Sequence, residues 1–142
     1  MTSIAYDGKT LAADSRIAAG STVFGTGAKI FKLKDGSHVA FCGRASLWPE
    51  VVAWLNGGDK PVITDREEDG VSALVVDKKG KAYEIDSDLR PFPACVPWAG
   101  GSGQSFALAA LTLGFTAEEA VELACKLDTA SGLPIQSVRI CK

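Results

Sequence analysis

Thr2-Ser3-Ile4-Ala5-Tyr6-Asp7-Gly8-Lys9-Thr10-Leu11-Ala12-Ala13-Asp14-Ser15-Arg16 is the stretch that decides the fold. Two short apolar runs, Ile4 to Tyr6 and Thr10 to Ala13, flank Asp7-Gly8, and Asp-Gly between apolar runs is a strong hairpin signal. Such a hairpin returns Asp14 to the end of the sheet where Thr2 begins. Met1 precedes a small residue, the context in which methionine aminopeptidase acts, so Thr2 is expected to become the chain terminus. A terminal Thr carries a hydroxyl nucleophile and its own general base, the α-amine. Met-Thr is also an ordinary way for a chain to begin, so the rest of the sequence must supply the partners.

Working outward, Ile17 to Gly27 is rich in Gly, Ala, Ser and Thr and reads as a loop with one short strand at Thr22 to Phe24. Ala28 to Leu33 alternates as a strand, Lys34 to Ser37 turns, and His38 to Cys42 returns. Leu47, Val51, Trp54 and Leu55 recur at helical spacing, with Pro49 in the first turn and Asn56-Gly57-Gly58 as the stop. Gly57 to Gly70 is a polar connection. A third hairpin pairs Val71–Val76 with Lys81–Ile85 around Asp77 to Gly80. Asp86 to Pro97 reads as irregular, anchored by Phe92, Cys95 and Val96. Gly100 to Gln104 leads into an almost wholly apolar helix over 105–111, ended by Gly114. Thr116-Ala117-Glu118-Glu119 is a capping box opening a helix to Leu127, and Pro134 to Ile140 is a last strand. Hairpins rather than strand–helix–strand units dominate, so antiparallel sheets with a helical layer are expected.

The 142 residues suit one domain, 1–142. A net charge of −2 with scattered basic residues gives no stripe for nucleic acid and no basic amphipathic helix for a membrane surface. No apolar run approaches the ~20 residues of a membrane span, and no signal peptide is evident. Cys42, Cys95, Cys125 and Cys141 lack CxxC spacing and read as small buried apolar residues in a reducing, cytoplasmic setting. His38 is the single histidine, which cannot build a metal site; no cofactor is expected. Trp48 and Trp54 read as core or subunit contacts.

Candidate chemistry lies in four separated features. These are Thr2 with Asp14; Lys29 at the opening of an apolar strand; Gly43 at a strand-to-helix junction; and Gly101-Ser102-Gly103 before a helix, with Asp128-Thr129-Ala130-Ser131-Gly132 after one. Each has a plain structural alternative. Asp14 and Lys29 could form a surface ion pair, Gly43 a turn, and the two loops ordinary helix ends. A Gly-rich loop before a helix also fits a phosphate, although GxxxxGK[ST] is absent.

Thr2-Ser3-Ile4-Ala5, Leu11-Ala12-Ala13-Asp14-Ser15-Arg16, Ala28-Lys29-Ile30, Cys42-Gly43, Gly101-Ser102-Gly103 and Asp128 to Gly132, in this order, resemble the landmarks of proteasome β-type subunits and the bacterial protease HslV. The resemblance runs from Thr2 to about Ile140. It implies an α+β fold, a four-layer αββα sandwich of two antiparallel sheets, and an N-terminal-nucleophile (Ntn) hydrolase cleaving peptide bonds through an acyl-enzyme. It assigns Thr2 as nucleophile, Lys29 and Asp14 as its electrostatic support, the Gly43 N–H as oxyanion donor, and Ser102, Asp128 and Ser131 as the groups ordering amine and water. It implies a homo-oligomer, a ring or other compartment, with polypeptide substrate and an ATPase unfoldase as an optional partner. The clipped first hairpin, short first helix and early end after the last strand depart from most proteasome subunits. Two other functions stay open: an Ntn-fold oligomer with a structural or binding role, and an amidase on small amides.

Overall fold

In the computed structural model, residues 2–63 and 70–140 are described. The first hairpin forms as its sequence dictates: β1 (Ile4–Tyr6) pairs with β2 (Thr10–Ala13), Ile4 opposite Ala13 and Tyr6 opposite Leu11. Asp7 closes it, its Oδ1 accepting from the Lys9 and Thr10 amides at 2.8 Å, the local bonding that suits Asp to turns.

Nine more strands bring the total to eleven among the described residues: β3 (Arg16–Ala19), β4 (Thr22–Thr26), β5 (Ile30–Lys32), β6 (His38–Cys42), β7 (Ser72–Val76), β8 (Ala82–Ile85), β9 (Pro91–Pro93), β10 (Trp98–Gly100) and β11 (Gln136–Arg139). The helices are α1 (Trp48–Leu55), entered by a 3-10 turn at Ala45–Leu47, α2 (Gln104–Thr112) and α3 (Ala117–Leu127). One sheet has the order β10-β1-β2-β11, the other β5-β6-β7-β8-β9, and β3-β4 stand as a separate ribbon. Every pairing is antiparallel.

The layering follows from side-chain alternation, because successive strand residues face opposite sides. Ile4, Tyr6, Leu11 and Ala13 from one sheet meet Ala40, Cys42, Leu74, Val76 and Ala82 from the other in a core between the sheets. On the far side of the five-stranded sheet, Val39, Phe41, Val71, Ala73 and Val75 pack under Trp48 and Val51 of α1. Phe41 stacks on Trp48 at 5.5 Å and Phe31 meets both edge-on, contacts each contributing roughly 0.5–1.5 kcal/mol beyond area burial. On the far side of the four-stranded sheet, Ala5 and Ala12 lie under Ala107, Ala110, Ala117, Ala120 and Ala124 of α2 and α3. Alanine at almost every contact lets these helices sit close to the strands. The result is a four-layer αββα sandwich. Thr116 opens α3 with a complete capping box, accepting from Glu119 N while Glu119 Oε1 accepts from Thr116 N.

Several expectations are corrected. The short strand expected at Thr22 to Phe24 is present within β4, but the rest of 16–27 is not loop: β3 pairs with β4 in a hairpin with a bulge between Ile17 and Ala18. Its outer strand is exposed throughout, so no buried face imposes alternation on the sequence. Residues 86–97 contain β9, an edge strand that tolerates prolines because one side needs no ladder bonds. Phe92, Cys95 and Val96 do not anchor that stretch: they are exposed, and Leu89 is the buried residue. Of the cysteines, Cys42 is buried, Cys125 half-buried and Cys95 exposed, so burial is not their common feature; Cys141 lies outside the described residues. So do residues 64–69 of the polar connection. No described helix is long and apolar enough to cross a membrane.

Candidate active site

The site forms where β1 begins and β2 ends. Asp14 N donates to Ser3 O, extending the hairpin ladder by one pair. The Asp14 carboxylate is fully buried and turns back across the sheet end. Its Oδ1 accepts from Ser3 N at 3.0 Å and Lys29 Nζ at 2.8 Å; its Oδ2 accepts from Gly132 N at 3.0 Å and Arg16 N at 3.1 Å. Three backbone amides and an ammonium therefore compensate the lost hydration, the condition for a buried carboxylate to be tolerated.

Lys29 precedes β5 and reaches the same point from the other sheet. It is 1% exposed, and its Nζ lies 3.1 Å from Thr2 Oγ1 while bonded to Asp14. The surface-pair alternative is thus excluded: this ion pair is buried, and it touches the Thr2 hydroxyl.

The other face of Thr2 is built from the two loops around α2 and α3. Thr2 N donates to Ser102 Oγ at 3.1 Å. Ser102 Oγ donates to Asp128 Oδ2 at 2.7 Å, and Ser131 Oγ donates to the same oxygen at 2.6 Å. Ser131 Oγ also lies 2.6 Å from Ser3 Oγ. Burial alone would raise the Asp128 pKa, but the Ser102 and Ser131 hydroxyls and the Ala130 amide outweigh it and hold it below the usual carboxylate value. The glycines of the first loop serve close approach: Gly101 has φ +86°, and a Cβ there would overlap the Thr2 carbonyl. Gly103 N donates to that carbonyl at 3.1 Å.

Gly43 ends β6 at φ +86°, where a Cβ would overlap the Gly70 carbonyl, so a side chain is doubly disfavoured. Thr2, Arg16, Ile17, Ala18, Lys29, Gly43, Ala45 and Trp48 line one small crevice of about 50 Å³. That is room for a few waters rather than a large side chain. Trp48 Nε1 is buried without a hydrogen-bond partner among the described residues, a cost of about 1–3 kcal/mol. Larger hollows lie elsewhere, as between α2 and α3 around Ala110, Phe115 and Leu123. That hollow gathers Glu119, Glu122 and Lys126 without a nucleophile, and in a second one the Cys125 thiol beside Glu122 is pushed up to about 11 by burial and so stays protonated, so chemistry rather than size selects the site.

All seven residues singled out in the sequence therefore fall in one neighbourhood: six join a continuous bonded network and Gly43 borders the crevice. His38 sits apart from that network, opposite Lys32 in the five-stranded sheet. Ser3, Arg16 and Gln136 belong to the network and were not anticipated. Gln136 did leave a signal. Alternation places it on the face that Val138 and Ile140 turn to the inter-sheet core, so a polar side chain stands where an apolar one is expected. Among the described residues no cluster of His, Cys, Asp and Glu could hold a metal ion.

At the level of sequence, no family model and no curated protein matches the chain. Solved structures do. BPH of Thiobacillus denitrificans superposes with a TM-score of 0.76 at 20% identity, over 97% of this chain and 96% of that one. The same protein in complex with epoxomicin gives 0.74 at 20%, over 99% of both. HslV from Trypanosoma brucei gives 0.69 at 19%, over 99% of both. Likeness of this extent at such identity establishes the fold: the chain shares the architecture of BPH and HslV, as the ordered landmarks in its sequence lead one to expect.

Proposed function

We propose that the chain is a threonine peptidase whose nucleophile is Thr2 after removal of Met1. The observation that carries this is the buried Lys29 Nζ, 3.1 Å from Thr2 Oγ1 and 2.8 Å from Asp14 Oδ1. Thr2 Oγ1 attacks the carbonyl carbon of a peptide bond and its proton passes to the α-amine, directly or through water. The Lys29 ammonium stabilises developing negative charge on Oγ1 and disfavours a second cation at the amine, which keeps that base neutral. The oxyanion accepts from the Gly43 N–H. Collapse breaks the C–N bond, and the α-ammonium returns the proton to the departing amine. Water then attacks the acyl ester, giving its proton to the α-amine, and Thr2 leaves with its hydroxyl restored. Ser102 Oγ accepts from the α-nitrogen while its own proton is committed to Asp128, so the nitrogen lone pair is left for the Thr2 hydroxyl proton. With Met1 attached the nitrogen is an amide and no base exists.

The proposal includes assembly into a ring or other homo-oligomeric compartment acting on polypeptides, with an ATPase unfoldase as an optional partner. The HslV-type fold supports it, as do exposed apolar side chains such as Phe24 (72%) and Leu113 (79%). The narrow crevice favours a second function, hydrolysis of small amides. Intact mass before and after epoxomicin, a peptide epoxyketone that requires both a Thr hydroxyl and a free α-amine, is the test. Loss of Met1 plus one adduct, absent in Thr2→Ala, is expected. No adduct on a chain that begins at Thr2 would leave the structural role. Turnover of a small amide but of no peptide would move the assignment to an amidase.

A further inference from the structure

Gln136 opens β11 opposite Ala13 of the four-stranded sheet, yet its side chain bonds the segment that leads into the other sheet. Its Oε1 accepts from Lys29 N at 2.8 Å and Ile30 N at 3.1 Å. Its Nε2 donates to Asp14 O at 3.1 Å, Ser15 Oγ at 2.9 Å and Gly27 O at 3.1 Å. The partners fix the orientation of the amide, since the reverse would set oxygen against two carbonyls and NH2 against two amides. No other residue type offers this set of donors and acceptors at this reach. The Lys29 carbonyl, in turn, accepts from Phe41 N. The lysine backbone is thus held on one side by its own sheet and on the other by Gln136.

We propose that Gln136 is a positioning residue: its carboxamide clamps the Lys29 backbone to the end of β2, and so sets Lys29 Nζ between Asp14 and Thr2 Oγ1. This role rests on the assignment of Thr2 as nucleophile. Lys29 acts on Thr2 through a separation of a few ångström, and Coulomb interactions across such a distance change steeply with position. A shift of about 1 Å in a catalytic group costs on the order of 10²-fold in rate. The clamp makes a specific electrostatic signature. Withdrawing the ammonium from Thr2 relieves the α-amine of a neighbouring cation, so the amine holds its proton to higher pH.

The test is the pH profile of epoxomicin adduct formation by intact mass, on the Met1-free parent and on Gln136→Met, which fills the same space without hydrogen bonds. The maximal inactivation rate should fall by about 10²-fold with little change in inhibitor affinity. The acid limb should move up by about half a pH unit or more. Asp7→Ala, which removes the turn bonds between β1 and β2 away from the site, is the control for lost stability; its limb should stay in place. An unmoved limb in Gln136→Met, with a rate loss that tracks melting temperature as in Asp7→Ala, would overturn the assignment and leave Gln136 a structural tie. Should Gln136→Met not fold, Gln136→Asn takes its place, neutral but one methylene too short to bond Lys29 and Gly27 together; an unmoved limb there overturns the proposal equally. An adduct that persists in Thr2→Ala would instead remove the nucleophile, and Gln136 with it.

Discussion

The two atoms of Thr2 that matter sit in unlike surroundings. On the Oγ1 side lies a buried ion pair: the Lys29 ammonium, and behind it the Asp14 carboxylate with the three backbone amides that bond it. Around the nitrogen, the partners are hydroxyls and a carboxylate on the loops flanking α2 and α3, with Ser102 exposed, Asp128 half-buried and Ser131 buried behind them. The difference teaches how the labour is divided. The hydroxyl side is part of the core, so its charge effects are strong and its loss costs stability as well as chemistry. The nitrogen side is a side-chain array near water, adjustable at little cost to the fold.

Under the proposed mechanism, replacing Thr2 should have the largest effect. Thr2→Ala removes the attacking oxygen and should lower turnover of a peptide amide by about 10⁴-fold or more, with fold and assembly intact by circular dichroism and light scattering. Next comes Lys29→Met, where the two sides should part company. Activity should fall nearly as far, and urea titration should show a loss of roughly 3–5 kcal/mol, because the Asp14 carboxylate is left buried without its cation. A fully stable Lys29→Met would break the comparison. Ser102→Ala should then lower kcat by about 10-fold to 10²-fold while stability changes by less than about 1 kcal/mol, measured on the same pair of instruments. A stability loss as large as that of Lys29→Met would erase the distinction.

Asp7 provides the smallest effect. Its Oδ2 accepts from Ala117 N at the start of α3, so it caps that helix as well as the first turn. Asp7→Ala should cost about 1 kcal/mol with activity unchanged. Burial would raise the Asp7 pKa, but the Thr10, Ala117 and Lys9 amides outweigh it and leave it lowered. A lowered carboxylate stabilises the fold above its ordinary value of 3.8, and this contribution is lost as pH falls through the lower folded value. Asp128 behaves alike in sign. Acid titration followed by tryptophan fluorescence should therefore show a loss of stability below about pH 4. It should be shallower in Asp7→Ala.

Local chemistry wrote much of this in advance. Asp7-Gly8 between two apolar runs required a hairpin, alternation marked β5, and Thr116 to Glu119 opened α3, each within a few residues of sequence. The ordered landmarks identified the architecture and gathered seven residues that the structure does bring to one place. What the sequence could not disclose has a common cause, namely that it depends on partners far along the chain. β10 is three residues whose only reason to be a strand is the free edge of β1. The β3–β4 ribbon buries no face and so carries no alternation. Lys29 reads as a solvent-facing residue until Thr2 and Asp14 close over it from another sheet. Gln136 lies more than a hundred residues from the amides it bonds. Sequence alone determined the hairpins and capped helices and pointed to candidate site residues, because turns, caps and alternation are short-range. Only the tertiary structure decided which charges are dry, and dryness is what turns a lysine and an aspartate into a site, because water no longer screens them.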